Sequence, residues 1–285
     1  MTSASIVTPA LVKELREKTG VGMAKCKEAL DQASGNMEEA IAILRKAGMM
    51  SAAKKEGRST KEGTVLSFQT NDVVAVAEVN AETDFVVKND RFQEFCTTIV
   101  QEVASKSPAT VEEFLQQPYS KDPSLTIDQY RSLLIQTIGE NIQVRRIAVF
   151  AKNKDQSIGV YSHLGGKILT VVVLEGSGEE QLAKEVAMHV AAAFPQYLCP
   201  EEIPKEVIQM EKDIAAEQVK GKPANIIDKI LQGKLNAFYD QCCLTRQKYI
   251  RDDSVCVSEY VKKQGSAHGK EVRILGFLRW MAGKE

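Results

Sequence analysis

The sequence lacks an excess of charge, a cysteine framework, clustered histidines and any long apolar run, and each lack excludes a class of protein. Its 37 Lys and Arg stand against 38 Asp and Glu over 285 residues, so no overall field draws in a polyanion such as nucleic acid. Of the six cysteines only Cys242 and Cys243 are neighbours. None makes the CxxC pair of a zinc site or the spacing of a disulfide scaffold, and they read as reduced cytosolic thiols. No uninterrupted apolar stretch approaches the ~20 residues that span a bilayer, and Met1 to Ala10 lacks a basic start followed by an apolar core. Neither secretion nor membrane insertion is expected, which leaves the cytoplasm.

Chemistry is equally sparse. His163, His189 and His268 are scattered, without the spacing that places two metal ligands on one helical face. His189, among Ala187, Met188, Val190 and Ala191, reads as a hydrogen-bonded core residue. The fragment Gly265-Ser266-Ala267-His268-Gly269-Lys270 is one residue short of a phosphate loop and has Glu271 where a Mg²⁺-binding hydroxyl belongs. Asp252 and Asp253 read as a solvated pair. With no catalytic constellation, metal site or cofactor site in view, the chain is expected to be a binding protein and not an enzyme.

What is present is modular. Thr8-Pro9 is a helix start, and Leu11, Val12 and Leu15 form its apolar stripe. After Gly20-Val21-Gly22, the residues Met23, Cys26, Ala29 and Leu30 recur at helical spacing, with Gly35 as the stop. Asn36 with Glu39 resembles a capping box, and Met37, Ile41 and Leu44 precede Gly48. A three-helix bundle over 1–50 is expected, followed by a charged linker or solvated helix end over 51–62. A core of two related α+β halves with antiparallel sheets follows. The first spans 63–152, with a hairpin of Thr64–Phe68 and Val73–Val79, helices through Phe92–Val103 and Ile127–Ile138, and a strand at Val144–Phe150. The second spans 153–200 and 241–285, and begins with Ile158–Ser162, Ile168–Leu174 and a helix through Val190. An inserted helical hairpin, a coiled coil, is expected over 201–240, its arms carrying Ile203, Val207, Met210 and Ile214, then Ile227, Ile230, Leu231 and Phe238, about a Gly221-Lys222-Pro223 turn.

One segment carries a candidate function. Glu82-Thr83-Asp84-Phe85-Val86 lies between the first hairpin and the next helix. A ring at Phe85 can fill a partner's cleft, where full burial is worth about 1.5–3 kcal/mol, and Asp84 beside it can perturb a metal's charged surroundings. The plainer reading makes Thr83 or Asp84 a helix N-cap and Phe85 a core residue. Both stay open on the residues alone.

The stretches Leu11–Met23 and Cys26–Leu30, Glu82–Val86, Ile138-Gly139-Glu140-Asn141-Ile142 with Arg145-Arg146, Ala187–Ala192 and Gly221-Lys222-Pro223 resemble, in order, the bacterial translation elongation factor Ts family. The resemblance implies a ubiquitin-associated-like amino-terminal bundle and a guanine nucleotide exchange factor. Its implied partner is elongation factor Tu, GDP-bound or nucleotide-free, with no direct role for nucleic acid or membrane. It implies that Thr83, Asp84, Phe85 and Val86 intrude near the partner's Mg²⁺ site, with Phe85 as wedge and Asp84 as polar disruptor. It also implies that the bundle touches the GTPase domain, with Lys25 and Cys26 as candidate contacts, and that His163 contacts the partner from the second half. Many relatives continue past the last strand into a further helix, so that contact is expected to be absent or replaced. Some relatives dimerise through the hairpin, and a homodimer in a two-plus-two complex stays open. Two other classes compete: a translation adaptor or chaperone that binds without accelerating exchange, and a metal-dependent hydrolase using Glu82 and Asp84.

Overall fold

The computed structural model describes residues 7–218 and 224–284. They fall into two compact units. The first runs to Ala151 and takes in Gly165–Lys167 and the segment from Met281, and the second comprises Lys152–Leu164 and Ile168–Trp280.

The first unit opens with three helices. In α1 (Pro9–Thr19) the Thr8 hydroxyl accepts from Leu11 N–H, and Gly20, at φ +68°, ends the helix by donating to Arg16 O. This is the left-handed stop that glycine allows. Helix α2 (Met23–Gln32) is closed by Gly35 N–H on Leu30 O at 2.8 Å. Helix α3 (Met37–Lys55) starts on Asn36, whose side chain accepts from Glu39 N–H. The other half of the expected box is not needed, since Asn36 N–H donates to Ala33 O. Leu15, Cys26, Leu30, Ala40 and Leu44 close the core of this bundle.

Helix α3 does not stop at Gly48, and the stretch from 51 to 62, read as a charged linker or a solvated helix end, begins as helix as far as Lys55. Gly48 lies against α7 (Ile127–Ile138), where an added Cβ would come 3.4 Å from Ser132 O, so the glycine serves close helix packing. Ala52, one turn on, is buried in the core of the α+β half. Only residues 56–61 remain as a connection before the sheet.

That sheet holds β1 (Glu62–Gln69), β2 (Val73–Ala81) and β5 (Ile142–Ala151) in the order β1-β2-β5, both pairs antiparallel. The Thr70 hydroxyl accepts from Asp72 and Val73 N–H and so closes the turn between β1 and β2. Helix α5 (Asp90–Lys106) covers β2 with Phe92, Phe95, Ile99 and Val103 fully buried. Between α5 and α7 lie two pieces that sequence periodicity did not show, α6 (Val111–Gln116) and a small hairpin of β3 (Pro118–Tyr119) and β4 (Asp122–Thr126). A Thr126/Gln129 capping box starts α7, and Gly139 at φ +93° stops it.

The second unit repeats this order. Strands β6 (Gln156–His163) and β7 (Ile168–Glu175) pair antiparallel, and β10 (Arg273–Met281) lies on the other edge of β7. Helix α8 (Glu180–Ala193) packs on them, followed by the small hairpin β8 (Lys248–Tyr249) and β9 (Asp252–Cys256), then α11 (Val257–Ala267), then β10. Where the first half inserts α6, the second inserts a helical hairpin, α9 (Lys205–Gln218) and α10 (Ala224–Cys242). Its expected turn, Gly221-Lys222-Pro223, lies outside the described residues. At its root Ile203 packs with Cys242 and Cys243. The anticipated stripe is split, because Met210 and Ile214 face outward and Ala215 is the buried position on α9.

Candidate partner-binding loop

Strand β2 ends at Ala81, and two residues later the chain makes a single helical turn, α4 (Asp84–Val87). Thr83 sits in extended backbone as the N-cap, its hydroxyl accepting from Val86 N–H. Val86 is buried in the core of this half, Val87 O accepts from Gln93 Nε2 at 2.6 Å, and Asn89 N–H donates to Val86 O. These bonds fix the turn from below. Phe85, on its outer side, is 81% exposed.

The plainer reading holds for Thr83 and fails for Phe85, which is not a core residue. Thr83 is an ordinary cap, as the plainer reading had it, yet the ring it positions stands in solvent. A large ring exposed to this degree costs hydration free energy that docking would recover. Val86 corrects the expectation. It was grouped with the contact residues, but its side chain is the anchor that holds the turn to the core. Asp84 is exposed and accepts from Lys88 Nζ at 2.9 Å. That hydrogen bond, together with the ammonium charge, holds the Asp84 carboxyl below its ordinary value,.

The turn is tied to the junction between α7 and β5. Thr83 N–H donates to Glu140 Oε2 at 3.0 Å, and the Thr83 hydroxyl donates to Glu140 Oε1 at 2.7 Å. In return Asn141 N–H donates to Glu82 Oε1 at 2.6 Å. Each junction thus supplies a carboxylate to the backbone of the other. Asn141 is fully buried, and its Nδ2 donates to Glu56 O and Arg58 O. Sequence reasoning picked out Ile138–Ile142 only as a matching segment. Nothing local ties Glu140 to a threonine 57 positions away.

The remaining candidates lie elsewhere. Lys25 and Cys26 are on α2. Lys25 is exposed, with Nζ 3.4 Å from Gln136 O. Cys26 is fully buried, its thiol donating to Val21 O at 3.3 Å, and burial raises its pKa despite the Thr19 hydroxyl and the charge of Arg16. It corrects the contact assigned to it, since a side chain inside the bundle core cannot touch a docked surface. His163 ends β6 in the second unit, exposed, with Nδ1 3.1 Å from the Tyr161 hydroxyl. Glu82 and Asp84, the carboxylates weighed as a metal pair, are engaged by Asn141 N–H and Lys88. Among the described residues no group of three or more His, Cys, Asp or Glu is placed to hold a metal ion.

Two other sequence readings are answered by geometry. His189 is fully buried; Ile250 N–H donates to its Nδ1 at 3.3 Å and its Nε2 lies 3.0 Å from Gln247 Oε1, a neutral, satisfied core histidine. Burial lowers its pKa. The rejected phosphate-loop fragment is the turn from α11 to β10, with Lys270 Nζ donating to Ser177 O and to Glu179. No helix among the described residues is long and apolar enough to cross a membrane.

Comparison with known proteins places this architecture. The family model for Elongation factor TS matches residues 82–284, starting at the segment that caps α4. Elongation factor Ts of Protochlamydia amoebophila (strain UWE25) is 59% identical over 279 residues, covering 98% of this chain and 99% of the relative. Elongation factor Ts of Chlamydia muridarum (strain MoPn / Nigg) is 41% identical over 273 residues, covering 95% and 97%. A full-length match at this identity, on a chain whose exposed ring and clamped turn lie in the matched region, shows that the protein belongs to the elongation factor Ts family, a family of translation elongation factors.

Proposed function

We propose that this chain is the guanine nucleotide exchange factor for elongation factor Tu and that α4 is the element that opens the nucleotide site. The observation that carries the reading is the 81% exposure of Phe85 on a turn whose next residue, Val86, is buried. A ring held out by a fixed base suits insertion between elements of a partner, because little conformational entropy is left to lose on docking. In this reading Phe85 wedges apart the elements that support the Mg²⁺ shell, and Asp84 places a carboxylate against it. With the Mg²⁺ displaced, the GDP phosphates lose charge neutralisation and the affinity for GDP falls. Linkage requires that GDP weaken the factor's grip by the same factor, so rebinding of GTP completes the cycle.

The factor makes and breaks no covalent bond and acts by differential binding, with no cofactor, in the cytoplasm where protein synthesis proceeds. Its partner is a protein, without nucleic acid or membrane. Lys25 on the bundle and His163 on the second unit are secondary contacts in this reading. The test is stopped-flow release of a fluorescent GDP from elongation factor Tu with catalytic amounts of this protein. Acceleration is expected at substoichiometric factor. Binding with unchanged release would return the chain to the adaptor class and remove the exchange role.

A further inference from the structure

The bonds beneath α4 lead to a role for a residue outside the wedge. Glu140 accepts both donors of Thr83, at 2.7 and 3.0 Å, and Thr83 is the cap on which α4 starts. Gly139 at φ +93° ends α7 and turns the chain so that Glu140 meets the β2 end. The return bond, Asn141 N–H to Glu82 at 2.6 Å, makes the tie reciprocal. Below the turn, Val86 supplies an apolar anchor but no direction about the Thr83 backbone. The Gln93 and Asn89 bonds hold the far end of the turn, and Glu140 is the side chain that holds its start at Thr83.

We propose that Glu140 is a positioning residue for nucleotide exchange: it fixes the Thr83 cap in the free protein, so that Phe85 is already aimed when the partner arrives. This rests on the exchange reading above. A one-turn helix cannot hold itself, because forming a first turn fixes several dihedrals for one hydrogen bond. Bonds to a carboxylate are among the stronger ones available in a partly buried setting, and two from one side chain set orientation as well as distance. Without them the ring would still be exposed, but spread over many directions. The docking surface would remain, and the step that displaces the nucleotide would slow.

The variants are Glu140→Ala, Glu140→Gln, Phe85→Ala and the double variant Glu140→Ala with Phe85→Ala, each assayed for GDP release from elongation factor Tu over a range of factor concentrations. Loss of two charge-assisted hydrogen bonds predicts that Glu140→Ala lowers the maximal release rate by about tenfold. The half-saturating concentration should move by no more than about twofold, since the rest of the surface is untouched. Glu140→Gln, which keeps one acceptor oxygen, should fall between. The double variant should be no slower than Phe85→Ala alone, because positioning is worthless without the ring. A second readout needs no partner: amide hydrogen exchange over residues 83–88 of the free protein should quicken in Glu140→Ala, while β6 and β7 keep their protection.

Unchanged release and unchanged amide protection in Glu140→Ala would overturn the inference. So would a double variant whose defects multiply, which would assign Glu140 a separate role. If the wild-type protein leaves GDP release unchanged, the exchange reading fails; if it accelerates release and Phe85→Ala does so equally, the wedge role of Phe85 fails and the positioning role falls with it. If Phe85→Ala is slow and Glu140→Ala is not, the positioning role alone is wrong.

Discussion

The two halves of the core place the same junction, from the second strand of the hairpin to the covering helix, under opposite treatment. In the first half β2 leads through Glu82 and Thr83 into α4, which holds Phe85 in solvent. In the second half β7 leads through Gly176-Ser177-Gly178 directly to Glu179 and α8, with no apolar side chain between. Both junctions are tied to the turn that precedes the last strand of their own sheet. The first tie uses carboxylates on backbone N–H and hydroxyl groups, Glu140 on Thr83 and Glu82 on Asn141. The second uses an ion cluster, with Glu179 accepting from Lys270 at 3.0 Å and lying 2.9 Å from His268 Nδ1. One fold position serves once to present a ring and once to seal an end. Function here belongs to what is grafted on the repeat, not to the repeat.

The largest expected effect breaks that contrast directly. Phe85→Ala removes the presented ring, and since full burial of such a ring is worth about 1.5–3 kcal/mol, the maximal rate of GDP release should fall by roughly ten- to a hundredfold. Its melting temperature should stay close to wild type, because an exposed ring contributes little to a core. A large drop in melting temperature would show the ring to be structural.

The sealed junction should behave in the reverse way. Glu179 is 3% exposed; burial alone would raise its pKa, but the hydrogen bonds from Lys270 and His268 outweigh that and lower it below 4.5. Glu179→Ala should cost about 1–3 kcal/mol in urea unfolding at neutral pH, below the range for a fully buried pair because Lys270 and His268 remain partly solvated. A carboxyl with a depressed folded pKa stabilises above its unfolded pKa and loses that contribution as pH falls through the folded value. The gap between wild type and Glu179→Gln should therefore be full at pH 6 and shrink below about pH 4.5. An equal gap at pH 6 and pH 3 would mean that the charge of Glu179 contributes nothing. Exchange activity at neutral pH should persist wherever the variant remains folded.

Much of this contrast is legible in the chain, and the unread parts share a cause. The stripe Phe92, Phe95, Ile99 and Val103 marks α5 because helical spacing and burial coincide there. The hairpins β1-β2 and β6-β7 are bracketed by turn residues that the structure keeps as turns. Helix α3 overruns Gly48 because glycine reads as a stop unless a neighbouring helix needs the space, and that neighbour, α7, is more than eighty residues away in sequence. Strands of two residues, Pro118–Tyr119 and Lys248–Tyr249, are too short to show a period, so the full repeat of the halves stayed hidden. Helix α11 exposes its lysines and buries only Val257, Val261 and Gly265, a stripe too thin to stand out. At the site, the apolar and acidic character of Glu82–Val86 is visible. Which of Phe85 and Val86 faces outward is decided by tertiary contacts, and so is the bond from Glu140.

The smallest effect sharpens the comparison by separating charge from shape within the presented turn. Asp84 lies beside Phe85 but is already held by Lys88 in the free protein. Exposed pairs of this kind are weak and exchange readily for another partner, so Asp84→Asn should lower the maximal release rate by only about two- to fivefold. If the carboxylate acts on the Mg²⁺ surroundings, the defect should be largest at high Mg²⁺ and vanish as Mg²⁺ is chelated, while the Phe85→Ala defect persists without the metal. The Asp84 pKa lies below its ordinary 3.8, so the carboxylate stays ionised throughout neutral pH and the ratio of wild-type to variant rates should not change between pH 6 and pH 8,. A ratio insensitive to Mg²⁺ would leave Asp84 only its bond to Lys88 along the turn. The two sides of the turn would then differ as the two halves do, one acting on the partner and the other holding the fold.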